Sequence, residues 1–184
     1  VEKKRPAFNI IAREQSLKQN YGNLLLKIRI DRIDRLENHS TALLDYKTGK
    51  YTVSTRSWLD DRPEDMQLPL YYSMASNSDF EQVQSATIAH VNAEKIGYSG
   101  IAMTESFSSE IRAIDHEKWT DMNWEQITKS WSEKILRFGN EFNAGESKVN
   151  PIKPIKTCTY CGLQSLCRIQ ELTNSDVLDQ DVNE

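Results

Sequence analysis

Asp45 and Lys47 stand two apart in the run from Thr41 to Lys47, and residues two apart on a β-strand project from the same face. Upstream, Asp31 is placed to lie opposite Asp45 in a hairpin whose turn is centred on Asn38. Two carboxylates and an ammonium would then share one small patch. Carboxylate oxygens are the hard ligands that Mg2+ prefers, and it commonly takes only one or two from the protein, leaving the rest to water and substrate phosphate. Such a set suits phosphodiester hydrolysis. The metal would polarise the phosphoryl oxygen and acidify a bound water, while the lysine orients or helps deprotonate that water and offsets developing charge. By itself, however, a D-x-K triplet in a strand is ordinarily an exposed ion-pair cluster on a half-solvated sheet.

The surrounding elements must therefore place these groups. From Asn23 to Leu36, Leu24, Leu26, Ile28 and Ile30 lie on one parity, while Asn23, Lys27, Arg29 and Asp31 lie on the other. This is the period-2 pattern of a strand with one buried face. The polar cluster Glu37 to Ser40 predicts a turn, and Thr41 to Lys47 a second strand closed by Thr48-Gly49-Lys50. Together they predict an antiparallel hairpin. Phe8, Ile10 and Ala12 share a parity, predicting an earlier strand over Ala7 to Arg13, and Glu14 could approach the site from its end. Pro63-Glu64-Asp65 predicts entry to a helix over Met66 to Ser76, with Pro69 tolerated only near its first turn. Gln84 to Val91 and Gly97 to Met103 predict two further strands. Trp124, Ile127, Trp131, Ile135, Phe138 and Phe142 recur at spacings of three and four, predicting a long amphipathic helix from Asp121 to Ala144 that packs across the sheet. The fold class expected is α/β, with a mixed central sheet of about five strands flanked by helices. There is no internal repeat.

Composition narrows the setting. A chain of 184 residues is long enough to bury a core without disulfides. It begins at Val1 without methionine, which is taken to mark a piece of a larger polypeptide. The longest apolar runs, such as Leu24 to Leu26 and Ala42 to Leu44, fall far short of the ~20 residues that cross a bilayer, so no membrane association is expected. The formal charge of −4 includes an acidic tail, residues 171–184, with five acids and no Lys or Arg. That tail reads as disordered. The rest is close to neutral, which leaves the partner open. Three cysteines, Cys158, Cys161 and Cys167, fall within ten positions. An odd, clustered count argues for a metal or cluster in a reducing cytoplasm, not a disulfide framework.

The stretch Arg29-Ile30-Asp31-Arg32-Ile33-Asp34, followed by Leu44-Asp45-Tyr46-Lys47-Thr48-Gly49, resembles the nuclease domain of the RecB, AddB and Cas4 group within the PD-(D/E)XK superfamily. There a G-x-x-D strand precedes a D-Y-K-[ST] strand. Gln67-Leu68-Pro69-Leu70-Tyr71 matches that group's Q-x-x-x-Y helix, and Cys158, Cys161 and Cys167 match the C-x2-C-x5-C part of the iron–sulfur site in AddB-type members. The resemblance covers most of residues 28–168.

It implies a restriction-endonuclease-like core over residues 1–170, with the cysteine segment at 158–167. It further implies Asp31, Asp45 and the carbonyl of Tyr46 as ligands to Mg2+ or Mn2+, and Lys47 as the catalytic lysine. Gln67 and Tyr71, at i and i+4 on one helical face, would support the site or a DNA strand. Tyr71 packed in the core is the plain alternative. The three cysteines would hold part of a 4Fe–4S cluster whose fourth ligand lies upstream, with zinc completed by a histidine, or free thiols, as alternatives. The implied activity is Mg2+-dependent hydrolysis of DNA, exonucleolytic, in a cytoplasmic repair or recombination protein working with a helicase subunit of AddA type. A catalytically inactive DNA-binding or scaffolding module of the same fold is the runner-up, and a zinc-stabilised interaction domain the third reading. Two departures stand out: Lys27-Ile28 replaces the usual glycine, and the group's upstream histidine has no match before Asp31.

Several residues compete with these assignments. Asp34 has the opposite parity to Asp31, so only one of them can share a face with Asp45 and Lys47, and Asp34 is expected to pair with an arginine. Arg29, Arg32, Arg35, Arg56 and Lys50 could line a phosphate path, or simply a solvated surface. His39, His90 and His116 show no ligand spacing, and Trp119, Trp124 and Trp131 are expected in the core or in helix packing.

Overall fold

A computed structural model describes residues 2–49, 54–118 and 120–167, the side chain of Ile155 excepted. Lys50, Trp119 and the acidic tail lie outside the described residues. By its internal contacts the chain divides into two compact units, Val1–Ala144 and Gly145–Glu184.

The first unit is built on five strands in the order β1-β2-β3-β4-β5. They are β1 (Phe8–Tyr21), β2 (Leu24–Leu36), β3 (Thr41–Lys47), β4 (Val83–Val91) and β5 (Ile96–Ala102). Neighbours run antiparallel except β3 and β4, which are parallel. The parallel step needs a crossover, and α1 (Gln67–Ser76) supplies it. The sheet is therefore mixed, as the alternation of motifs predicts. The β2–β3 turn closes where expected: Asn38 Oδ1 accepts from the Ser40 amide (3.1 Å) and hydroxyl (2.6 Å), the side-chain-to-backbone closure that favours Asn in turns.

One face of the sheet packs against α1 and α2 (Trp124–Asn143) through Ile30, Ile33, Leu43, Ile88, Leu68, Ile127 and Trp131. The opposite face gathers Leu36, Ala42, Leu44, Ala89 and Tyr98 under Phe107 and Ile111. On α2, Trp124, Ile127, Thr128, Trp131 and Ile135 are buried, and Trp131 meets Trp58 and Tyr72 edge-on. The helix starts on a capping box in which Asn123 Oδ1 accepts from the Gln126 amide and Gln126 Oε1 from the Asn123 amide, both at 2.9 Å. Asn123→Ala is expected to remove about 1 kcal/mol of stability, read as a lower midpoint in chemical denaturation.

Three expectations are revised. β1 runs on to Tyr21 beyond the expected end at Arg13; its second half alternates polar residues, so apolar periodicity could not mark it. The apolar stripe of α2 ends before Phe142, which is 72% exposed, because the helix outruns the core beneath it. The alternation of β2 also changes phase. Ile30 and Ile33 have opposite parity yet enter the same cluster, as do Ala12 and Leu17 on β1. The register runs from Arg13 opposite Arg32 to Gln15 opposite Ile30, so both strands change phase where Glu14 faces Asp31. Glu14 has φ 49° there, a left-handed conformation rare for a non-glycine residue inside a strand.

In the second unit the cysteine segment carries two short helices. They are α3 (Pro154–Thr159), begun by Pro154 in its first turn, and α4 (Gln164–Cys167).

Candidate active site

The β2–β3 register sets Arg32 opposite Leu44 and Ile33 opposite Leu43, so Asp31 comes to the place opposite Asp45. Its Oδ2 accepts from the Tyr46 amide at 2.9 Å. Asp45 itself is 2% exposed. Leu43 shares its parity and packs into the helical-face core, so Asp45 and Lys47 look toward α1.

There Gln67, in the first turn of α1, ties the two together. Its Nε2 donates to Asp45 Oδ1 (2.7 Å) and to Tyr71 Oη (2.8 Å), while its Oε1 accepts from Lys47 Nζ (2.6 Å). Both amide hydrogens and the carbonyl are thus engaged, and the carboxamide can turn only by breaking all three contacts. Lys47 Nζ also pairs with Asp45 Oδ2 at 2.7 Å. Tyr71 is buried as well as bonded, so its core role and its site role coincide.

The charges are not balanced. Burial pushes the Asp45 carboxyl up, and the nearby Asp31 and Asp65 carboxylates push the same way, against the hydrogen bond and charge of Lys47. Burial also pulls the Lys47 ammonium down, but the hydrogen bond and charge of Asp45, with Asp65 and Tyr71, outweigh it and hold Lys47 above its ordinary value. Lys47 is therefore a positive charge in this site.

Asp65 is the site residue that sequence reasoning missed. Its Oδ1 accepts from the Gln67 amide at 2.7 Å, fixing the first turn that presents Gln67. The available signal was an Asp two residues before Gln67 at a helix entry, where its side chain can accept from the backbone two residues on.

Other candidates are not gathered here. Glu14 pairs with the exposed Arg29 at 2.8 Å. Arg35 donates to the His39 carbonyl. Arg32 is buried on the far face of the sheet against Asp34 (2.6 Å), so it lines no phosphate path; Asp34, as expected, has an arginine partner. His90 lies beside Lys47 in the β3–β4 ladder, yet burial and Lys95 hold its ring below the usual range. Its Nε2 is bonded to Ser99. His116 pairs with Glu105.

Among the described residues no three His, Cys, Asp or Glu side chains form a group able to hold a metal. For Asp31 and Asp45 this is no obstacle, since Mg2+ takes as few as one or two carboxylates. Cys158, Cys161 and Cys167 are free thiols; a closed cluster or zinc site needs four ligands, so these three would need a fourth from elsewhere.

A family model described as the PD-(D/E)XK nuclease superfamily matches residues 1–168. Among curated proteins, an ATP-dependent helicase/deoxyribonuclease subunit of Lactococcus lactis subsp. cremoris (strain SK11) is 22% identical over 182 residues, covering 80% of this chain. The exonuclease/helicase subunit RexB of Lactococcus lactis subsp. cremoris (strain MG1363) is likewise 22% identical over 182 residues and 80% of the chain. In both cases the match spans 16% of the relative's length. The solved structure of SSO0001 aligns with a TM-score of 0.48 and 16% identity, over 86% of this chain and 60% of that one. With a single family model spanning nearly all of the described residues, the chain belongs to the PD-(D/E)XK nuclease superfamily.

Proposed function

We propose that this chain is the metal-dependent deoxyribonuclease domain of a larger DNA repair or recombination protein. In this reading it degrades DNA from ends and works with a helicase subunit in the cytoplasm. The observation that carries the reading is the closed set of contacts from Gln67 to Asp45, Lys47 and Tyr71, with Asp31 brought beside Asp45. The names of the relatives, a helicase/deoxyribonuclease subunit and an exonuclease/helicase subunit, point the same way.

Asp31, Asp45 and the Tyr46 carbonyl would hold Mg2+ or Mn2+. This donor set is all oxygen, and a cation would offset the burial that chiefly raises Asp45 as well as the smaller repulsion from Asp31 and Asp65. When bound, the ion supplies a Lewis acid and an acidified water. The chain's own residues supply the geometry. Lys47 directs its ammonium to the side of the site where charge builds on the phosphoryl oxygens, and Gln67 fixes Lys47 and Asp45 relative to one another. Asp65 holds the helix turn that carries Gln67.

The test is degradation of linear and of covalently closed duplex DNA by the full-length protein, with Mg2+ and after chelation by EDTA. Linear DNA should be degraded only with the metal, and the closed circle should survive. Cleavage of the circle would overturn the exonuclease assignment. Cation binding without cleavage of any DNA would favour a catalytically inactive DNA-binding module.

A further inference from the structure

The β2–β3 ladder runs only as far as Arg32 opposite Leu44. Beyond it, side chains take over the grip of β2 on β3, and they do so at one residue from two sides. On the helical face Asp31 Oδ2 accepts from the Tyr46 amide at 2.9 Å. On the far face Arg32 Nη1 donates to Tyr46 Oη at 3.0 Å. Tyr46 is 40% exposed, so packing alone does not hold its ring. Arg32, by contrast, is fixed: its Nε and Nη2 meet Asp34 Oδ1 and Oδ2 at 2.6 and 2.9 Å, and its guanidinium lies 5.0 Å from the Phe8 ring centroid. A buried, forked ion pair is a rigid anchor for a half-exposed phenol.

We infer that Arg32 is a positioning residue for the reaction, holding Tyr46 by its hydroxyl from behind the sheet and so fixing the backbone whose carbonyl would be a ligand to the metal. The inference rests on the nuclease reading above, because it concerns the Tyr46 carbonyl proposed there as a ligand. It gives the consecutive residues Asp31 and Arg32 complementary tasks, one on each side of the sheet.

Tyr46→Phe isolates the contact. It removes one oxygen, and Arg32 keeps Asp34 and Glu2 as partners, so no buried charge is stranded. Mn2+ binding to the full-length protein, followed by loss of the free-ion EPR signal, should weaken about fivefold, the effect of one hydrogen bond on an equilibrium. The metal-free Tm should move little, and cleavage should recover when Mg2+ is raised. Arg32→Lys, whose ammonium cannot fork to Asp34 and reach Tyr46 together, should weaken Mn2+ binding at least as much. Unchanged Mn2+ affinity in Tyr46→Phe, with parent binding intact, overturns this inference and leaves the nuclease reading standing. A parent that binds no Mn2+ overturns both.

Discussion

Asp45→Ala is expected to reduce Mg2+-dependent cleavage of linear DNA about a thousandfold or more, and Lys47→Ala about a hundredfold or more. The first removes one of two adjacent carboxylates and leaves Gln67 and Lys47 without the group they hold. The second keeps both carboxylates but loses the positive charge held between Asp45 and Gln67, which in the proposed reaction would offset phosphoryl charge. The fold should survive both. Asp45 is held above its ordinary value, so the folded state binds its proton more tightly than the unfolded chain does. Ionising it therefore lowers stability as pH rises from the ordinary carboxylate range through the raised folded value, and the metal-free protein carries that penalty at neutral pH. Lys47, raised by its partners, contributes stability that is present below the ordinary lysine range and lost only as pH rises through its folded value. Losing Asp45 thus removes a penalty and forfeits part of a gain. The metal-free Tm of Asp45→Asn at pH 7 should stay level or rise. Added Mg2+ should raise the Tm of the parent and not of the variant, since a ligand stabilises only the state that binds it. Cleavage by both alanine variants at the parent rate would refute the catalytic assignment.

Much of this site is legible in the sequence because it depends on short-range geometry. A two-residue spacing places Asp45 and Lys47 on one face, a turn at Asn38 sets Asp31 opposite Asp45, and an i, i+4 spacing aligns Gln67 with Tyr71. What escaped depends on the third dimension or on backbone strain. The phase change opposite Glu14 is a local left-handed conformation in a stretch whose residue types do not announce it; strict alternation would have sent Ile33 to the polar side. Asp65 works through a backbone amide, a contact that leaves no apolar period. A phosphate path and a solvated surface are both open to Arg32 from its charge alone, and burial on the far face removes both. Its neighbour Asp34 supplies the correction, since a buried carboxylate at the same parity gives the guanidinium a partner behind the sheet.

Asp34→Ala should be the most destabilising charge change in the chain, by about 3–5 kcal/mol, because it strands buried positive charge. Asp34 is fully buried and faces two guanidinium groups: Arg32 in a forked pair, and Arg5, whose Nη2 lies 2.9 Å from Oδ2 as an ion pair without a directed hydrogen bond. Arg5 is stacked between the rings of Phe8 and Phe107 at 4.0 and 3.9 Å. That position gains cation–π attraction, and Nε donates to the Phe107 carbonyl at 3.3 Å, but the two Nη groups depend on the single carboxylate beside them. With Asp34 removed, Arg32 keeps Glu2, but Arg5 cannot reach water without opening the cluster around Phe107, and the loss should appear as a Tm drop of roughly 10 °C or more. Asp31→Ala offers the contrast. Asp31 is partly exposed and bonded to one amide, so its removal should leave Tm nearly unchanged while cation binding and cleavage are lost. Thermal melts of the two variants, with and without Mg2+, therefore separate two acids three residues apart. If Asp34→Ala keeps the parent Tm but loses cleavage, and Asp31→Ala does the reverse, the assignments of the two residues must be exchanged.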